Sequence, residues 1–165
     1  MFELKTISAD AIPEALSKAE RYRLLNEPEQ AQSICQDVLG VDPKNQQALI
    51  TLLLALTDQF DEQIDAGKAL DVVPRIRGEY ERAYYSGIIS ERQGIAHFKR
   101  NHYGSGAITY DCLREAMHWY EQAEALRPHG NDDALLRWNT CARFLMEHPK
   151  VQPEPHVRAE PILSE

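Results

Sequence analysis

The residues with chemistry to offer are few. Glu115 and His118 stand three apart, the helical spacing with which di-iron carboxylate bundles present a ligand pair. Such a centre needs two copies of the pair and two further glutamates, and this chain carries one copy. No HExxH occurs. His97, His102, Cys112 and His118 fall within one stretch, but a zinc site uses tighter, paired spacing, and packed or solvated histidines in a helical hairpin account for them. Gly104-Ser105-Gly106 is no nucleophile elbow, because no strand precedes it, and it is too short for a phosphate loop. It reads as a turn. Cys35, Cys112 and Cys141 make an odd number without a CxxC, which reads as reduced thiols in a cytoplasmic protein. Cys35 and Cys112 fall on packed helical faces, where a thiol acts as a small apolar side chain. No catalytic residue, metal or cofactor is expected, and the chain reads as a non-enzyme.

One basic cluster stands out: Arg75, Arg77, Arg82, Arg92, Lys99 and Arg100, with Tyr80, Tyr84, Tyr85 and Tyr103 among them. Interleaved aromatics and arginines can stack on and pair with nucleic acid. Glu79, Glu81 and Glu91 dilute the cluster, and helical pairing such as Glu81 with Arg77 explains much of it as a solvated face. If the cluster binds anything, an acidic protein segment fits best. The formal net charge of -8 argues against general nucleic-acid binding, which needs basic surface for phosphates, and against docking on anionic membranes.

The elements that would position these residues are helices. Glycines are few, strand-like alternation is nearly absent, and 165 residues suit one domain with a real core. Residues 1–11 read as a leader without the basic start and apolar run of a secretory signal. Helices are predicted at about 12–26, with Pro13 in the first turn and Asp10 as a cap, and at 28–40, closed by Gly40. The next, 45–59, contains ALITLLLAL and is apolar on every side, so it belongs between neighbours. That apolar run is far short of the roughly 20 residues needed to span a bilayer. Further helices are predicted at 61–73, 76–100, 107–127 and from Asn131 or Asp132 to 147, with Asn101–Gly106 as the clearest loop. Gly87 and Gly94 would permit close helix contact. The tail, 148–165, holds Pro149, Pro153, Pro155 and Pro161 and reads as flexible.

Two stretches share a pattern: Ala31, Cys35, Val38, Pro43, and Ala116, Tyr120, Ala123, Pro128. Three first helices also fall in register at an interval of about 34 residues: Ala15, Leu49, Ala83; Ala19, Leu53, Gly87; Tyr22, Leu56, Ser90. In these residues the chain resembles the tetratricopeptide repeat family over about 12–147. The second unit departs from the pattern: Leu53 stands where a small residue is usual, Ala66, Leu70 and Val73 come one position late, and Pro74 follows at once. The third unit is longer by roughly 17 residues than the family's unit, taken up by lengthening both helices around the 101–106 turn.

The resemblance implies an all-α solenoid of three antiparallel helix pairs with a C-terminal capping helix. It also implies a concave groove lined by the first helix of each pair. Carried over position by position, the groove would present Leu16, Glu20 and Arg23, then Gln47, Ile50, Leu54 and Asp58, then Glu81, Tyr84, Ile88, Glu91 and Arg92. Apolar centres with charged borders suit a protein or peptide partner held by a few anchors, although Ile50 and Leu54 serve equally as core. Family members that clamp chaperone tails have lysine and asparagine where Leu16 and Glu20 stand here, which argues against that ligand. The expectation is an adaptor or assembly factor, with no nucleic acid and no membrane as partner. A dedicated chaperone for a secreted or membrane-associated protein is the first alternative, and a metal-dependent helical enzyme the second. Oligomeric state stays open, since the apolar second unit could make a self-contact.

Overall fold

Every regular element among the described residues, 1–155 of a computed structural model, is a helix. After a 3-10 turn at Ala9–Ala11 come α1 (Ile12–Leu24), α2 (Pro28–Val41), α3 (Gln46–Asp58) and α4 (Ala66–Val72), which runs into a second 3-10 turn, Val73–Arg75. Then follow α5 (Glu79–Arg100), α6 (Ser105–Leu126) and α7 (Asp133–Glu147). The all-α expectation holds. Consecutive helices pack on one another, and α1 also meets α3, as α3 meets α5.

Local chemistry explains the boundaries. Asn26 takes the left-handed conformation at φ 59°. Its N–H bonds the Arg23 carbonyl and the next N–H, of Glu27, bonds Tyr22, the paired closure that ends many helices. Pro28 then opens α2 from its first turn. Asn45 Oδ1 accepts from the Ala48 N–H at 2.9 Å to cap α3, and Asp65 does the same for α4 through Gly67 at 3.1 Å. At α7 it is Asn131 that accepts, from the Asp133 N–H at 3.0 Å.

Several predicted boundaries move. Asp10 lies inside the first 3-10 turn, and α1 has no side-chain cap. Gly40 does not close α2: the helix passes through it to Val41, and the Asp42 N–H bonds the Val38 carbonyl at 2.8 Å. α4 begins at Ala66 rather than 61, because residues 59–62 turn on themselves and Asp65 caps the helix late. α5 begins at Glu79 rather than 76: Ile76 is extended and buried, and Gly78 sits at φ 83°. Arg77 therefore lies outside the helix, and the expected helical pairing of Glu81 with Arg77 does not form among the described residues.

α5 and α6 form a hairpin of two 22-residue helices. A Cβ on Gly87 would run into the Tyr120 ring, and one on Gly94 would lie 2.9 Å from Cys112 Cβ. Both glycines are where the helices touch, and Thr109 Oγ1 donates to the Gly94 carbonyl at 3.1 Å across the same seam.

Two core groups result. The first joins α1 to α4 through Leu16, Ala19, Cys35, Val38, Leu49 and Leu53, with Ile89 and Ala96 of α5. The second joins α5 to α7 through Ile88, Leu113, Met117, Tyr120 and Cys141. Leu54 and Tyr85 pack against both. Between its neighbours, α3 buries Ala48, Leu49, Leu52, Leu53 and Ala55 and half-buries Ile50, Leu54 and Leu56, as its apolar circumference required. Ahead of α1, Ile7 packs against the first core while Phe2 and Leu4 are exposed. The predicted flexible tail begins with packed residues: His148 stacks on Phe144, with ring centroids 4.1 Å apart, and Val151 is buried. Its remainder, 156–165, lies outside the described residues.

Candidate functional site

Two adjoining clefts run along α3. The first, of about 500 Å³, is lined by Glu20, Arg23, Leu24, Gln47, Ile50, Thr51 and Leu54. The second, of about 420 Å³, continues from the shared wall of Arg23 and Leu24 to Thr57, Asp58, Phe60, Asp61, Glu91, Arg92, Ile95 and Lys99. Most of the residues assigned to the groove from the sequence thus line one continuous surface contributed by α1, α3 and α5.

Asp58, at the end of α3, is the hinge of this surface. Arg23 Nε from α1 donates to its carboxylate at 2.7 Å, and Arg92 Nη1 from α5 at 2.6 Å. Arg92 also donates to Thr57 Oγ1 at 2.7 Å and to the Leu54 carbonyl at 3.3 Å. Burial pulls the Arg92 guanidinium below its ordinary value. The Asp58 carboxylate acts the other way, and Arg23 and Arg137 add to the downward pull. Arg23 and Arg92 thus share one carboxylate in the middle of the cleft, with Glu91 also acting on Arg92. Farther out, Lys99 pairs with Asp61 at 3.2 Å, fully in solvent reach, where such pairs contribute little. At the other end Gln47 Nε2 donates to Glu20 Oε1 at 2.9 Å.

Some expected groove residues lie outside the clefts or are committed to other partners. Ile88 is 2% exposed and belongs to the second core, so it does not reach the surface; Leu16, 4% exposed, belongs to the first. Tyr84 is half-buried in an aromatic row, stacked on Tyr80 at 5.9 Å and edge-on to Tyr85 at 5.2 Å. Glu91 is nearly buried and committed: Tyr120 Oη donates to Oε2, and Arg137 Nη1 donates to Oε1 at 3.1 Å. Burial, the Glu91 charge and that hydrogen bond all push the Tyr120 phenol far above its ordinary range. Glu81 turns its carboxylate back onto Gly78.

Leu24, the missed residue of most consequence, is 89% exposed on the wall between the clefts, with Leu25 beside it at 60%. The periodic pattern of α1 gave no sign of this, since an exposed leucine at a helix end is read from sequence as core. Phe60, Ile95 and Lys99 were also missed.

The histidines do not assemble as a metal centre. His97 Nδ1 and His102 Nε2 are 3.4 Å apart at the α5–α6 tip, while His118 is bonded to Gln122 at 2.7 Å and Cys112 packs beside Gly94. Burial, His102 and Arg100 all lower the His97 pKa. Among the described residues no group of three or more His, Cys, Asp and Glu side chains is placed to hold a metal. Nor, among them, is any helix long and apolar enough to cross a membrane. Comparison with protein-family models, with curated proteins and with solved structures gave no match.

Proposed function

We propose that this chain is a non-enzymatic helical repeat protein of tetratricopeptide type that holds an extended peptide, or a helix of a partner protein, along α3. The pairs would be α1 with α2, α3 with α4 and α5 with α6, and α7 would close the stack. The contacts of α1 with α3 and of α3 with α5 support this reading, because in such a stack the first helices lie side by side and form the groove floor.

The observation that carries it is the joined surface itself. Exposed Leu24 and half-buried Ile50 and Leu54 offer apolar anchors, and Glu20, Gln47, Arg23, Asp58 and Arg92 border them with fixed polar groups. Anchors set among polar groups already held in place lose little entropy when a flexible ligand docks. The ion pairs on Asp58 and the helix packing beneath it supply that preorganisation. The role would be that of an adaptor or assembly factor.

The test is affinity capture with mass-spectrometric readout, comparing wild type with Leu24→Asp and Ile50→Asp in one chain. Leu24 is exposed while Ile50 packs partly against the first core, so a thermal melt must first show that the variant is folded, and Leu24→Asp alone serves as the comparison if it is not. A partner retained by wild type and lost by the variant supports the reading. Equal capture by both places binding on another surface.

A further inference from the structure

The basic cluster of the sequence resolves into two kinds of residue. Arg92 and Lys99 pair with Asp58 and Asp61, and Arg82 and Arg100 donate to the carbonyls of Ile76 and Glu62. Arg75 and Arg77 have no ion pair among the described residues, and neither has Lys44, which the fold brings beside them. These three line a cleft of about 440 Å³ between the α2–α3 turn and the α4–α5 connection, with only Pro43 and Gln46 for company. Among the described residues no carboxylate lines it, in a chain of net charge -8. Of the acidic residues nearest in sequence, Asp42 accepts from Asn45 Nδ2 at 3.2 Å, Glu81 is folded onto Gly78, and exposed Glu79 does not line the cleft.

The three cations are held together by one side chain. Gln46 Nε2 donates to the Lys44 carbonyl at 2.9 Å and to the Arg75 carbonyl at 3.4 Å, and Gln46 Oε1 accepts from the Arg77 N–H at 2.8 Å. Every cation of the cleft therefore has its main chain tied to the same amide. Arg75 Nη2 adds a bond to the Pro43 carbonyl at 3.1 Å, fixing its guanidinium across the gap. None of these bonds uses the charge of Lys44 or Arg77. Among the described residues no carboxylate is paired with any of the three.

We propose that Lys44, Arg75 and Arg77 form an anion site for a phosphomonoester group, with Gln46 as the positioning residue. A phosphomonoester brings about two negative charges and three acceptor oxygens at neutral pH, whereas a carboxylate brings one charge. Two guanidiniums offer planar forks matched to such oxygens, and the lysine adds a mobile point charge. The cleft is open, so the group can come from a phosphorylated side chain of a polypeptide or from a small phosphate ester. The chemistry recognised is the same.

The test is amide-resolved NMR on the whole chain at about pH 7.5, where a phosphomonoester is mostly dianionic. Inorganic phosphate is titrated at constant ionic strength, with acetate as the matched control. Saturable shifts centred on Lys44, Gln46, Arg75 and Arg77 are expected with phosphate and not with acetate. Arg77→Glu and, separately, Lys44→Glu should each abolish saturation. Gln46→Ala should weaken binding about tenfold with helicity unchanged, because it loosens the cations without removing charge. Equal shifts with acetate, or a wild-type titration in both charge-reversed variants, would overturn the site. N-acetyl-O-phosphoserine methylamide and glycerol phosphate then separate the sources. Tighter binding of the first assigns the site to phosphorylated polypeptide, and equal or tighter binding of the second assigns it to small phosphate esters. The groove along α3 plays no part in this readout, so either proposal can fail alone.

Discussion

Arg92 on α5 donates to Asp58 at the end of α3 across 2.6 Å, and that single carboxylate also holds Arg23 of α1. Three helices far apart in sequence are pinned at one oxygen pair that is about a quarter exposed. Removing the carboxylate leaves two guanidiniums facing each other without their counter-ion. Asp58→Ala is expected to destabilise the fold by about 1–2 kcal/mol, between the small effect of a surface pair and the larger loss at a buried one. Arg92→Ala should cost more than Arg23→Ala, because Arg92 also bonds Thr57 and Leu54. Urea midpoints of the three variants check the order. If Asp58→Ala unfolds at the wild-type midpoint, the network does not brace these helices.

Two glycines inside helices predict opposite outcomes for the same substitution. Gly40 has no atom near its would-be Cβ, so Gly40→Ala should stabilise by about 0.5–1 kcal/mol through helix propensity alone. At Gly87 the added methyl would enter the Tyr120 ring. Overpacking of about 1–3 kcal/mol then outweighs the propensity gain of about 1 kcal/mol, and Gly87→Ala should destabilise. Thermal melts of both variants give the signs. Stabilisation at both positions would mean that α5 and α6 are not seamed at Gly87.

How much of this was legible beforehand follows from what each residue reports. The apolar periods of α1, α2, α5 and α6 and the apolar circumference of α3 gave the helices, because burial is written into residue type. The small residues at Gly87 and Gly94 gave the close seam. Boundaries set by a single capping bond were less visible: whether Asp65 or Asp61 begins α4 depends on which backbone N–H reaches the carboxylate. Of the positions expected to form a binding surface, Arg23, Gln47, Asp58 and Arg92 line the two clefts along α3, whereas Leu16 and Ile88 are buried in the two cores; each stands four residues from a cleft residue, so the helical period alone did not separate them. The cleft of Lys44, Arg75 and Arg77 could not be read at all, since it depends on a turn and a connection meeting across Gln46.

Tyr120 and Glu91 make a second separable prediction for the α5–α7 core. Tyr120→Phe keeps the ring and deletes the donor, leaving one Glu91 oxygen buried without its partner. A loss of about 1–3 kcal/mol is expected, the desolvation penalty of an unsatisfied polar group. Adding Glu91→Gln should recover part of it, because the neutral amide is cheaper to bury beside an unpaired site, although Arg137 then loses its counter-ion. A double-mutant cycle by urea denaturation measures the coupling. A cycle that closes with no interaction term would show that the two groups contribute independently.

Stability should fall on the alkaline side, and the cysteines set where. Burial is the main cause that lifts Cys35 from its ordinary 9.0 to about 12, with Arg23 opposing and Glu20 adding. Burial, reinforced by Glu91, likewise takes Cys141 to about 12, and burial with Glu115 and Asp111 takes Cys112 to about 11. The Tyr120 phenol is raised in the same direction. In the unfolded chain these thiols lose their protons near 9, while in the folded chain they keep them until 11 or 12. The unfolded state therefore binds fewer protons across that window, and stability drops as pH rises through it, by up to about 1.4 kcal/mol per pH unit for each thiol that stays protonated in the fold. Below about 8 these groups are protonated in both states and contribute no slope. Denaturant midpoints at several pH values from neutral to about 10.5 should trace this fall, and Cys35→Ala should make it shallower after allowance for the packing it loses at every pH. An unchanged slope in that variant would mean that Cys35 ionises as readily folded as unfolded, which the closed packing between α1, α2 and α3 does not allow.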